Sequence, residues 1–135
     1  MTSRSHIENT IKALWAARLR EDVEATIKDF AEDGVFEMNA RGIGGPGLAA
    51  PIVGKPALRE ALRGFYATWD FKDWRTLDLL VDGEKALVRW RAHVTCTPTG
   101  KSEVFECYDL IGFRDGKIVD YRQTTDTAMM MKLAS

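Results

Sequence analysis

The chain of 135 residues and 15.2 kDa has the length of one domain and is too short for two ordinary ones. With 45% hydrophobic and 29% charged residues it reads as a folded soluble protein, long enough to build a core without disulfide or metal staples. Its 19 Lys and Arg against 20 Asp and Glu leave a net charge of −1, which argues against nucleic acid or an anionic membrane as partner and for a small neutral molecule.

From Ser5 to Leu19, the apolar residues Ile7, Ile11, Leu14, Trp15 and Leu19 recur at spacings of three and four, predicting an amphipathic helix. Asp22 is the expected N-cap of a shorter helix that turns Val23, Ile27 and Phe30 to the core, with Gly34 just past its end. Val35–Met38 reads as a short strand running into Asn39 and a long loop to Lys55, which includes the glycine-rich stretch Gly42–Gly47. Pro56 opens a third helix with Leu58, Ala61, Leu62, Phe65, Tyr66 and Trp69 on its apolar face. Four strand-like runs then follow, Trp74–Val81, Lys85–Thr97, Lys101–Phe113 and Lys117–Thr125, separated by Asp82-Gly83, Pro98-Thr-Gly100 and Asp115-Gly116. They predict an antiparallel meander. Asp126 is expected to cap a helix-like tail, Thr127–Leu133, whose Met129-Met-Met131 run forms an adaptable apolar plug.

Turn chemistry sets the register, and register decides which side chains share a face. Centring one hairpin on Thr99-Gly100 places Trp90 opposite Asp109, Ala92 opposite Cys107, Arg91 opposite Tyr108 and His93 opposite Glu106. A three-residue loop at Arg114–Gly116 places Asp109 opposite Tyr121 and Cys107 opposite Gln123. The inner face then holds Val88, Trp90, Ala92, Val94, Phe105, Cys107, Ile111, Val119 and Tyr121; Arg89, Arg91, His93 and Glu106 lie outside as cross-strand pairs. Three polar residues intrude on the inner face, Asp109, Gln123 and Thr125. Burying each without a partner costs on the order of a few kcal/mol. Either a core partner satisfies Asp109, such as an indole of Trp90 or Trp15 or the Tyr121 hydroxyl, or the sheet wraps over the helices and leaves a cavity with these groups at its wall. In such a cavity an Asp beside Trp and Tyr has a raised pKa and can serve as a proton donor.

The opening MTSRSHIENTIK lacks the apolar run of a signal peptide and no stretch is apolar enough to span a membrane, so a cytoplasmic location is expected. Cys96 and Cys107 lack C-x-x-C spacing, and with only His6 and His93 beside them no metal site is expected. Neither a phosphate loop, a dinucleotide fingerprint nor a nucleophile elbow is present, and no cofactor is expected.

Two helices, a short strand, a Gly/Pro loop, a helix and four meandering strands resemble the nuclear transport factor two-like superfamily. This α+β fold wraps a cone-shaped, curved antiparallel sheet around three helices and includes SnoaL-like cyclases, ketosteroid isomerase and limonene epoxide hydrolase. The resemblance makes residues 1–135 one SnoaL-like domain. It is sharpest from Pro98-Thr-Gly-Lys-Ser102 to Asp126, where Gly116-Lys-Ile118 and Tyr121-Arg122 fall as in limonene epoxide hydrolase. Of that enzyme's catalytic pattern Asn39 is present, whereas Glu37 stands at the Tyr position, Trp90-x-Ala92 at the Arg-x-Asp position and Gln123 at the last Asp. Asp109, in Cys107-Tyr-Asp-Leu-Ile111, is similar to the protonated oxyanion-hole acid of ketosteroid isomerase, but the positions of its Tyr donor and Asp base are Leu14 and Met38. Neither catalytic set is complete.

What the resemblance implies is a protein that binds a small, mainly apolar or aromatic metabolite in the cone and catalyses its isomerisation, cyclisation or hydration by acid–base chemistry. Asp109 is the expected catalytic acid; Asn39, Trp90, Tyr121, Gln123, Trp15 and Cys107 are the expected ligand-binding residues. The family habit also implies a homodimer through the outer sheet face, where Tyr108 and Leu110 stand among charges. The alternative is a non-catalytic binding or dimerisation module whose interior is filled by side chains.

Overall fold

A computed structural model describes residues 2–39 and 51–135, so the glycine-rich stretch Gly42–Gly47 lies outside the described residues. Helix α1, Arg4–Leu19, is capped by Ser3, whose side chain accepts from the His6 amide at 3.1 Å. Its buried stripe runs Ile7, Ile11, Leu14, Trp15 and then Arg18. Leu19, expected inward, is 38% exposed, while Arg18 is 4% exposed, because the guanidinium finds acceptors inside. Asp22 caps the five-residue α2, Val23–Ile27, accepting from the Ala25 amide at 3.1 Å.

Strand β1, Phe30–Met38, is longer than the sequence predicts: Phe30 opens the strand instead of lying on α2, and Gly34 sits within it. The β1 chain runs parallel to the last strand, with Phe36 beside Tyr121 and Met38 beside Gln123. A Cβ on Gly34 would come within 3.0 Å of the Ile118 carbonyl oxygen and 3.1 Å of that of Ala31. The two-residue β2, Ile52–Val53, expected as loop, pairs antiparallel with β1. Helix α3, Lys55–Thr68, carries Pro56 in its first turn and buries Leu58, Phe65 and Tyr66.

Four long strands complete a six-stranded mixed sheet of order β2-β1-β6-β5-β4-β3: β3, Trp69–Asp82; β4, Lys85–Cys96; β5, Ser102–Arg114; and β6, Lys117–Thr124. The result is α+β, and the expected meander is its last four strands. Trp69, expected on the third helix, opens β3. Bulges in β3 around Asp73 and Leu77 bring Trp74 against Trp15, with stacked rings 4.6 Å apart.

Both hairpin registers differ from the expectation by two residues along their inner faces. Trp90 pairs with Cys107, Ala92 with Phe105 and Arg91 with Glu106, because the connection takes four residues, Thr97–Gly100, instead of a two-residue centre. Asp109 pairs with Gln123 and Ile111 with Tyr121. Here the turn itself is the two-residue Asp115-Gly116, both at positive φ (51° and 78°), followed by an irregularity at Val119. That irregularity buries Ile118 and leaves Val119, expected inward, only half-buried. A shift of two preserves side-chain parity, so the remaining inner face is as expected.

Outside, Arg89 pairs with Asp78 at 2.6 Å and with Glu106, and Arg91 reaches Glu106 at 3.4 Å, so these cations are spent in cross-strand ion pairs. Asp126 caps α4, Thr127–Ala134, accepting from the Met129 amide at 3.0 Å. Met130 and Leu133 are buried, and Thr99 Oγ1 donates to the Leu133 carbonyl at 2.6 Å.

Candidate functional site

The polar interior is built where the end of α1 meets β5 and β6. Asp109 is fully buried, with 0% of its surface exposed. The Tyr121 hydroxyl donates to its Oδ2. Arg18 Nη1 in turn donates to the Tyr121 hydroxyl oxygen at 3.4 Å and to Gln123 Oε1 at 2.9 Å. Asp109, Tyr121, Arg18 and Gln123 therefore form one connected chain inside an apolar interior. The guanidinium lies 4.1 Å above the Trp15 ring, a cation–π contact.

Burial pushes the Asp109 pKa up to about 6, against the opposing influence of Arg18, the Tyr121 hydroxyl and the indoles of Trp90 and Trp15. The two indole N–H groups are near enough to favour the carboxylate, but neither closes a hydrogen bond of normal geometry, and Oδ1 has no full partner among the described residues. Burial and the neighbouring Asp109 also raise Tyr121 well above its ordinary value. Cys107 donates to Thr125 Oγ1 at 3.4 Å, and burial pushes its thiol up to about 12, which keeps it protonated near neutral pH.

Two cavities flank this chain. The first is small, with about 30 Å³ of room for water-sized groups and an opening to solvent, and has Arg18 and Tyr121 in a wall otherwise made of residues such as Leu14, Phe30, Phe36 and Leu62. The second, about 20 Å³ by the same measure, is lined by Trp90, Phe105, Cys107, Gln123 and Met130. Phe65 borders both.

Of the expected site residues, Tyr121, Trp90, Gln123 and Cys107 reach a cavity wall, whereas Asp109 and Trp15 are packed behind it. Asn39 is exposed: its side chain donates to the Thr125 carbonyl at 3.1 Å and accepts from the Thr125 amide at 2.9 Å, splinting β1 to the end of β6. Glu37 neighbours Arg122, away from the interior. Arg18 was not singled out from the sequence, yet a signal exists, because it continues the spacing Ile11, Leu14, Trp15 by three and four residues.

Residues 11–121 match the SnoaL-like domain family. The chain matches no curated protein. It is similar to the solved structure of an NTF2-like protein from Burkholderia xenovorans, at 19% identity over 100% of each chain with a TM-score of 0.85. It is also similar to TerC co-crystallized with polyporic acid, at 20% identity over 96% of this chain and 97% of that one, TM-score 0.81. A ketosteroid isomerase-like protein from Erwinia carotovora atroseptica aligns at 21% identity over 90% of this chain and 94% of the other, TM-score 0.67.

Proposed function

The chain belongs to the SnoaL-like domain family, and from that footing we propose that it binds a small, mainly apolar or aromatic metabolite between α1, α3 and the sheet and transforms it by cofactor-independent acid–base chemistry. Isomerisation, cyclisation and hydration are the reactions this chemistry serves. The observation that carries the reading is the buried chain Asp109–Tyr121–Arg18, which meets the apolar cavity at Tyr121 and Arg18. The co-crystal of TerC with polyporic acid supports it by showing a neighbour of the same fold prepared with a small molecule.

In this reading Tyr121 is the catalytic residue and Asp109 the positioning residue behind it. A phenol whose pKa stands well above normal is a poor acid alone. With Asp109 in its protonated form, Tyr121 therefore releases its proton to a ligand oxygen as it takes the carboxyl proton, leaving an Asp109 carboxylate that accepts from the Tyr121 hydroxyl as in this structure; the ligand's α-proton passes to water, and no phenolate accumulates. Arg18 donates to the same hydroxyl and stabilises negative charge developing beside it. Trp90, Gln123 and Cys107 shape the second cavity, and Met130 closes it from α4.

A second reading, a non-catalytic binding module, is favoured by the complete burial of Asp109. The enolisable ketone 2-tetralone separates the two. Calorimetry should show saturable binding with one site per chain, and proton NMR in D2O should show α-proton exchange faster than in buffer, with that acceleration lost in Tyr121→Phe. Binding without acceleration favours the module, and absence of binding removes the small-molecule reading.

A further inference from the structure

The surroundings of Arg18 answer its charge only indirectly, because the Asp109 carboxylate is reached through the Tyr121 hydroxyl. The guanidinium is 4% exposed and packed over Trp15, with Phe65 and Phe71 centroids at 5.6 and 5.5 Å. A cation removed from water into such a site is costly unless an anion and full hydrogen bonding offset it. Its hydrogen bonds go to neutral acceptors, Gln123 Oε1 and the Tyr121 hydroxyl, and Nε has no partner among the described residues. Asp109 is the one buried carboxylate among those residues, and it is bonded to the Tyr121 hydroxyl with the phenol standing between it and the arginine. The Cys107 thiol nearby is neutral.

We infer that Arg18 is the receptor for an anionic oxygen group on the ligand, a carboxylate or an enolate, whose apolar body enters and widens the small cavity that Arg18 and Tyr121 share. The inference rests on the proposed function in that it uses the same cavity, and it narrows the ligand class to apolar anions. A planar guanidinium offers paired donors that match a carboxylate, and a dry aromatic setting strengthens the attraction. The remaining walls, such as Leu14, Phe36 and Leu62, offer no rival charge.

A second consequence concerns protons. Asp109 is faced by Arg18 and Trp15 from α1, by Trp90 from β4 and by Tyr121 from β6, with Cys107 on its own strand. Arg18 is the one cation in that set and favours the carboxylate, against the larger effect of burial. An anion seated on Arg18 offsets this influence, so binding should draw a proton onto Asp109 near neutral pH.

The test compares 2-naphthoate with its neutral isostere 2-naphthamide by isothermal titration calorimetry at pH 7. Wild type should prefer the carboxylate by about tenfold or more, as charge-assisted bonds imply. Repeating the 2-naphthoate titration in buffers of different ionisation enthalpy should reveal net proton uptake. Arg18→Gln should abolish the preference, with 2-naphthoate losing more affinity than 2-naphthamide, and Arg18→Lys should restore part of the preference. The wild-type comparison stands even where Arg18→Gln fails to fold. Equal affinities in wild type, or a preference that survives Arg18→Gln, overturn the inference while leaving the proposed function intact if 2-tetralone binds. Failure of 2-tetralone and both naphthyl probes to bind overturns the two together.

Discussion

Tyr121 and Asp109 are joined by a hydrogen bond although neither is the other's cross-strand partner: Asp109 stands opposite Gln123, and Tyr121 opposite Ile111. The bond is diagonal on the inner face of β5 and β6, within reach of a long aromatic side chain. The same phenol reaches Arg18 on α1, so it ties the helix layer to the sheet as well as two strands to each other.

Asp109→Asn tests the titration of the buried acid. A carboxyl with its folded pKa raised from 3.8 to about 6 binds protons more tightly folded than unfolded. Its unfavourable contribution grows as pH rises through 3.8 and levels off above about 6. The Asn variant should thus gain stability relative to wild type between pH 4 and pH 8, by on the order of 3 kcal/mol in urea unfolding. A relative loss over that range would mean that the ionised carboxylate, paired through Tyr121 with Arg18, is the stabilising form.

Asn39→Ala separates the splint from the cavity. The variant loses two hydrogen bonds to the Thr125 backbone, which should lower stability by about 1–2 kcal/mol in chemical denaturation. Calorimetric affinity for 2-tetralone should stay unchanged. A selective loss of affinity would return Asn39 to the ligand site.

The outer sheet face supports a proposed homodimer, with Val104, Tyr108 and Leu110 exposed on β5 and Leu80 exposed on β3. Sedimentation at micromolar concentration should give about twice the chain mass, and Leu110→Glu should shift the species to the single-chain mass while keeping the far-ultraviolet spectrum. A wild-type protein that sediments as one chain removes this proposal.

The elements were legible in the sequence because local chemistry marks them. Asp22 and Asp126 are caps, Pro56 sits in a first helical turn, and Asp115-Gly116 makes a tight reversal. The inner face was legible because alternation survives a register change of two residues, and both hairpins changed by two. Long-range pairing was not legible. Nothing local says that β1 lies parallel to β6, so Phe30 read as helical; Asn39 entered the expected site through the resemblance, and its bonds to Thr125 depend on that pairing. Arg18 escaped because a charged residue on an apolar stripe reads as an interruption unless its acceptors, more than 100 residues away in β6, are known.

Gly34 limits how sequences of this architecture can diverge. A single added carbon would press on two main-chain oxygens, Ile118 from the neighbouring strand and Ala31 from its own, and main chain cannot step aside as the tip of a flexible side chain can. Drift at this position is therefore coupled to the spacing of the parallel pair. In a set of homologues that share the pairing, position 34 should hold glycine even where the cavity walls have changed beyond alignment, which makes it a better anchor for placing β1 than any residue of the pocket.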